Sequence, residues 1–156
     1  MALLSDDVMV DFGGGSGKAA FAKAWKLDRP HESGLWDEVK TILRLGCVHE
    51  NGGWLMPSFG SQLEVQLDPM TTLFAIRPGS ALRSQPRADA PVVARLDWDV
   101  LTLKEVSGDD RWLRVSLHDG REGYVGPAEV RRPLDPRMTV DRINGRLRIT
   151  AFVAGD

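Results

Sequence analysis

Between residues 70 and 133 this 156-residue chain never runs far enough without a turn to build a helix. Short apolar runs at 73–76, 81–83, 92–96, 100–106, 112–117 and 123–125 are separated by turn residues: Pro78-Gly79, Arg87-Ala88-Asp89, Ser107-Gly108-Asp109-Asp110 and Asp119-Gly120. Runs spaced roughly 8–12 residues apart and punctuated in this way restrict the stretch to a small all-β barrel or sandwich. The tripeptide Leu-Asp-Pro stands before it at Leu67-Asp68-Pro69 and after it at Leu134-Asp135-Pro136. A proline pushes the residue before it toward extended backbone, so both copies read as seams between domains.

The residues before the first seam have a different rhythm. Residues 8–12 alternate like a short half-buried strand. Gly13-Gly14-Gly15-Ser16-Gly17 then makes a flexible turn in which Ser16 could cap a helix. Phe21, Ala24 and Trp25 place a helix over 18–27, and a turn at Pro30 ends it. A second helix is expected over 34–45, with Ser33 as its cap and Gly46 at the C-cap position. Its residues Leu35, Trp36, Val39, Ile42 and Leu43 fall on one face at helical spacing. Asn51-Gly52-Gly53 between two apolar triplets reads as a hairpin, with Cys47 just before it.

In the tail, Asn144-Gly145 favours a type I′ turn that pairs Ile143 with Arg146. Counting outward, Asp141 faces Arg148, Arg142 faces Leu147, Val140 faces Ile149 and Met138 faces Ala151. The expected class is therefore α+β: a small all-β barrel joined to a small α/β subdomain of two helices and a few strands. Its parts are 1–66, 70–133, and a C-terminal hairpin over 137–156 that packs on the N-terminal part.

Composition narrows function mainly by exclusion. Twenty Lys and Arg against twenty-two Asp and Glu leave a net charge of −2, so no overall basic field points to nucleic acid. No apolar run approaches the roughly 18 residues of a membrane span, and the start turns acidic too early for a secretory signal. Gly17-Lys18 resembles the end of a phosphate loop, but Phe12 stands where a glycine belongs and Ala19 where a hydroxyl should hold magnesium. His31, His49 and His118 are scattered, and the lone Cys47 reads as a buried, inert thiol. No nucleophile elbow is present, and Asp6-Asp7 and Asp109-Asp110 read as solvated turns. No catalytic residue, metal ligand or cofactor is expected. Arg131, Arg132, Arg137, Arg142, Arg146 and Arg148 outnumber nearby acids, and are read as a solvated strand face.

The β-rich stretch also carries a series of local likenesses. Ala81-Leu82-Arg83-Ser84-Gln85-Pro86 resembles the "N-V-R-S-G-P" opening of bacterial SH3-type domains. Val92-Val93-Ala94-Arg95-Leu96 and Val100 to Glu105 match their next two strands. Arg111-Trp112-Leu113-Arg114-Val115 resembles the "W-x-x-V" strand, and Asp119 to Val125 the closing "D-G-x-x-G-W-V". Trp98 or Asp99 replaces a glycine at the diverging turn, and Tyr124 replaces a tryptophan. The glycine loop and the final "G-R-x-R-x-T-x-F" strand are similar to segments of proteobacterial envelope proteins of unassigned function. That last strand also resembles the end of cone folds of the nuclear transport factor type.

The resemblance implies a non-catalytic binding module at the cell envelope or in the periplasm. Its partner would be a cell-wall peptide or an extended protein segment, with no nucleic acid and no membrane span. The groove candidates are Trp98 and Tyr124 as aromatic platforms, with Arg83, Asp109 and Asp110 supplying charge. Trp112 is read as core. Two other readings stay open: a small-molecule pocket near Trp25, Trp36 or Trp54, and an assembly protein dimerising through its last hairpin.

Overall fold

A computed structural model describes residues 1–61, 67–106, 108 and 110–155. The protein is α+β, with two α-helices and two sheets among the described residues. Along the chain the elements are β1 (Leu4–Met9), α1 (Gly17–Ala24), α2 (Leu35–Arg44), β2 (Val48–Glu50), β3 (Gly53–Met56), β4 (Thr72–Ala75), β5 (Ser80–Arg83) and β6 (Val92–Leu96). There follow β7 (Val100–Val106), β8 (Leu113–Ser116), β9 (Glu122–Val125), β10 (Val130–Arg131), β11 (Arg137–Ile143) and β12 (Arg146–Val153). The chain divides into two compact units: Met1–Leu63 with Leu134–Asp156, and Glu64–Pro133.

In the first unit five strands run in the order β1-β12-β11-β3-β2, so the C-terminal hairpin forms the middle of the sheet. The hairpin turn follows from Asn144 and Gly145, both at positive φ, as a type I′ turn needs. Ile143↔Arg146, Arg142↔Leu147, Asp141↔Arg148 and Val140↔Ile149 pair as the turn dictates. Beyond them the register shifts, so Met138 faces Phe152 rather than the expected Ala151. The extra residue is a β-bulge, and it puts Met138 and Phe152 together in the core. There Phe152 stacks on Phe21 of α1 at 5.9 Å between ring centroids and on Trp25 at 4.8 Å.

The first strand ends earlier than the alternation of residues 8–12 suggested, because Asp11 closes the loop that follows. Its carboxylate accepts from the Gly15 N–H at 2.9 Å, while the Val10 N–H donates to the Gly15 carbonyl. A side chain at Gly15 would meet the Asp11 carboxylate and push it aside. The protein's own carboxylate thus takes the loop amide that a phosphate would use. Ser16 stands at the N-cap of α1 but makes no side-chain cap bond. Likewise Gly34, not Ser33, is the N-cap of α2, although the Leu35 N–H reaches the Ser33 hydroxyl at 3.4 Å.

The apolar face of α2 is covered along one side only. Leu35 and Ile42 are buried and Val39 is half-buried, whereas Trp36 is 69% and Leu43 56% exposed. One residue of offset rotates a side chain by about 100°, which carries 36 and 43 off the sheet-facing side. Ala24 of α1 is exposed too, leaving Phe21 and Trp25 to make the contact. Cys47 is exposed rather than buried, because it lies between the left-handed Gly46 and β2, the last strand of the sheet. Among the arginines Arg131 is buried and Arg137 half-buried, so the basic run is not uniformly a solvated face.

The second unit has seven strands in the order β10-β4-β7-β8-β9-β5-β6, all antiparallel where they pair. Backbone pairing does not close the ring expected from the sequence: β10 and β6 end the order and are not paired with each other among the described residues. Leu73, Leu82, Leu96, Leu101, Val115 and Val125 form its core. In β8 the alternation is strict, with Leu113 and Val115 inward and Arg114 outward. Trp112 has the parity of Arg114 and is half-buried, not core. Gly123 in β9 is packed against β5: an added Cβ would lie 2.6 Å from the Arg83 carbonyl oxygen and 2.7 Å from Leu82 Cγ.

Candidate functional site

The second unit carries an open groove of about 690 Å³. Pro86 and Ala88 on the β5–β6 loop form one wall, Trp112 at the start of β8 another, and Pro127 and Ala128 a third. Arg87 and Arg111 are the charged residues on it. Two of the walls are held from behind. The Ser84 N–H donates to the Pro91 carbonyl, the Ala90 N–H to that of Arg87, and Arg83 Nη1 to the Ala90 carbonyl at 2.8 Å. Pro127 and Ala128 sit on a 3-10 turn over Pro127–Glu129, where Glu129 accepts from the Gly126 N–H at 3.1 Å. The Ile76 N–H donates to the Glu129 carbonyl and ties that turn to the end of β4.

Of the groove residues inferred from sequence, Trp98, Tyr124, Arg83 and Asp110 do not line this concavity. Arg83 and Tyr124 are brought together as register partners, and Tyr124 also faces Arg114. Arg83, however, holds the β5–β6 loop, so it positions the groove rather than presenting charge to it. Trp98 is 51% exposed, at positive φ, on the turn after β6. Leu96 pairs with Ser80, at the opposite end of β5 from Arg83. Three residues of strand, about 10 Å, therefore separate the Trp98 turn from the Arg83–Tyr124 pair. Asp110 is exposed beside Arg111, and Asp109 lies outside the described residues. Parity was the available signal for Trp112: a residue one step out of phase with Leu113 and Val115 faces away from their core.

A second concavity, of about 580 Å³, lies within the first unit. The sheet supplies Leu4, Met56, Met138, Val140 and Ile149, and the helices Phe21, Leu35 and Val39. Trp36, Leu43 and Leu147, all exposed, stand around it. Of the tryptophans expected near such a pocket, only Trp36 takes part. Trp25 is stacked on Phe152, and Trp54 packs at 5.1 Å on His49.

The resolved electrostatic effects fall on surface pairs outside both concavities. Among the described residues no three His, Cys, Asp or Glu side chains converge on a point that could hold a metal. Lys18 hydrogen-bonds to Asp6 and lowers its pKa, and the bond from Arg114 to Glu122 raises that of the guanidinium. Asp119 is held below the usual carboxylate range, first by the hydrogen bond from the Arg121 side chain and then by the Arg121 N–H at 3.1 Å. A carboxyl whose pKa is depressed on folding favours the folded state above its unfolded value near 3.9, and that favour fades as pH falls through the lower folded value. Carbon-detected NMR titration is expected to place the Asp119 midpoint below about 3.9, and Arg121→Gln to raise it part of the way back, since the backbone N–H at 121 remains. An unchanged midpoint in the variant would remove Arg121 as the cause.

No helix among the described residues is long and apolar enough to cross a membrane. Comparison with protein-family models, with curated proteins and with solved structures finds no match to this chain.

Proposed function

We propose that the Glu64–Pro133 unit is a non-catalytic binding module of the bacterial SH3 type, and that it takes an extended peptide in the Trp112 groove. The observation that carries this reading is the meeting of two loops and a 3-10 turn around one half-buried indole. Tryptophan offers a large rigid apolar surface at little entropic cost, and such residues dominate binding energy when ringed by lesser contacts. Pro86 and Pro127 add flat walls whose backbones are already constrained. The two arginines at the groove suit a segment with a carboxylate, such as a cell-wall stem peptide or an acidic stretch of protein.

An amide-shift titration with soluble peptidoglycan fragments and a panel of extended acidic peptides tests the reading. Shifts are expected at 86–88, 111–112 and 127–128. Trp112→Ala should weaken binding at least about tenfold, a loss of roughly 1.4 kcal/mol, with the rest of the spectrum in place. Trp98→Ala should leave affinity unchanged. Shifts centred on 97–99, with Trp112→Ala still binding, would reverse the assignment.

A further inference from the structure

The tip of the β11–β12 hairpin, residues 142–147, is exposed throughout. From Arg142 to Val153 the chain has three arginines, at 142, 146 and 148, and no acid. The overall charge of −2 is thus spread unevenly, and this end of the first unit is basic.

The turn sets how these residues are presented. Register pairs Arg142 with Leu147 and Ile143 with Arg146. Paired residues share a pleat, so each face of the tip ends in one arginine and one aliphatic side chain. Arg142 Nη1 donates to the Gly145 carbonyl of its own turn at 3.0 Å. Neither Arg142 nor Arg146 joins an ion pair among the described residues. Arg148, one step down β12, is half-buried and partly offset, since Asp141 is its register partner and Asp6 feels its charge. The charge presented to solvent is therefore that of two guanidiniums, each beside an exposed Ile143 or Leu147.

The apolar surface continues from the tip onto α2. Leu147 shares the rim of the concavity with Trp36 and Leu43, both exposed. Arg44, also exposed, follows Leu43. Asp37, the acid beside Trp36 in the chain, is taken by Lys40 at 3.2 Å. Aliphatic side chains and an indole set among cations are the composition that seats a protein in the headgroup layer of a bilayer. A soluble polyanion would match the cations alone. An anionic bilayer matches both, because its phosphates lie directly over acyl chains.

We propose that the hairpin tip and the adjoining rim of α2 form a peripheral docking surface for a bilayer that carries anionic lipids. Ile143 and Leu147 enter the upper acyl region, and the arginines extend back to the lipid phosphates. The polar Asn144-Gly145 turn stays in the hydrated headgroup layer, where its backbone keeps water as a partner. This surface belongs to the first unit and does not rest on the peptide reading of the second.

The test is co-sedimentation of the whole chain with vesicles of phosphatidylcholine alone and of phosphatidylcholine mixed with phosphatidylglycerol. Binding is expected to the anionic vesicles, to weaken as salt rises, and to be slight on the neutral ones. One basic residue near such a surface is worth about a factor of five, so Arg142→Gln with Arg146→Gln should weaken partitioning about 25-fold. Ile143→Ser with Leu147→Ser should weaken it at least about tenfold. Both pairs lie on an exposed tip and should keep the parent's circular dichroism, while Arg77→Gln in the second unit should keep its binding. In bicelles with a gadolinium-tagged headgroup, the Ile143, Leu147 and Leu43 methyls of the parent should broaden first. Three results would overturn the proposal: no binding to the anionic vesicles; equal binding to both kinds of vesicle; or loss on replacing the arginines with none on replacing Ile143 and Leu147, which would assign the tip to a soluble polyanion.

Discussion

Gly123→Val is expected to unfold the second unit at room temperature, and Gly123→Ala to destabilise it by about 2–3 kcal/mol. The reason is steric and specific. Gly123 is buried in β9, and its missing Cβ would stand 2.6 Å from a backbone oxygen of β5. A flexible side-chain tip could move aside, but the Arg83 carbonyl cannot, because Arg83 is in register with both Tyr124 and Val92. The second obstacle, Leu82 Cγ at 2.7 Å, belongs to a fully buried core residue. Either the two strands separate or Leu82 leaves its place, and each choice opens the core. Urea denaturation followed through the Leu82 and Val125 methyls measures the effect. A Gly123→Ala midpoint equal to the parent's would show that β5 and β9 lie farther apart than described.

Phe152→Ala should cost the first unit about 3–5 kcal/mol. Phe152 is 2% exposed and has an aromatic ring from each of two directions, Phe21 and Trp25. It also faces Met138 across the hairpin, only because the bulge moved the register by one residue. Truncation leaves a cavity at the junction of α1 and the sheet, beside Phe21, Trp25 and Met138. Phe152→Leu should recover more than half of the loss. If Phe152→Ala cost under about 1 kcal/mol, a site that collapses freely, rather than a packed one, would be the correct description.

The register shift also marks how far the sequence could be read. Asn144-Gly145 determines its turn chemically, so the four pairs nearest it were legible. The bulge depends on what lies beneath the strand, so Met138–Ala151 was not. Gly46 ended α2 where expected, since a left-handed residue there is a local requirement. The exposure of Trp36 was not legible, because a five-residue apolar arc does not say how much of itself the sheet will cover. The parallel pairing of β1 with β12 had no local signal, being a contact between chain ends. At the groove, the β5–β6 and β7–β8 turns were visible from their glycines, prolines and acids. Which aromatic they surround was decided by strand parity: Trp112 shares the outward phase of Arg114, and Trp98 belongs to a turn at the far end of β5. Arg83 looked like a free charge, yet its partner is a carbonyl, and carbonyls leave no trace in a sequence.

The pairing of β10 with β4 has a consequence for the order of assembly. Val130 lies opposite Ala75 and Arg131 opposite Phe74, so the antiparallel register carries the outgoing chain back beside the point where it entered. Strands paired this way are about 4.8 Å apart. Joining the two segments of the first unit before the second has formed means closing a loop of about 70 residues. Once the second unit is folded, the same closure resembles that of a tether of about 10. The logarithmic dependence of closure entropy on length makes the difference about 2 kcal/mol. The interrupted sheet is thereby relieved of most of the entropic penalty of being interrupted, and a contiguous insert that folds early acts as a staple for the unit whose sequence it divides.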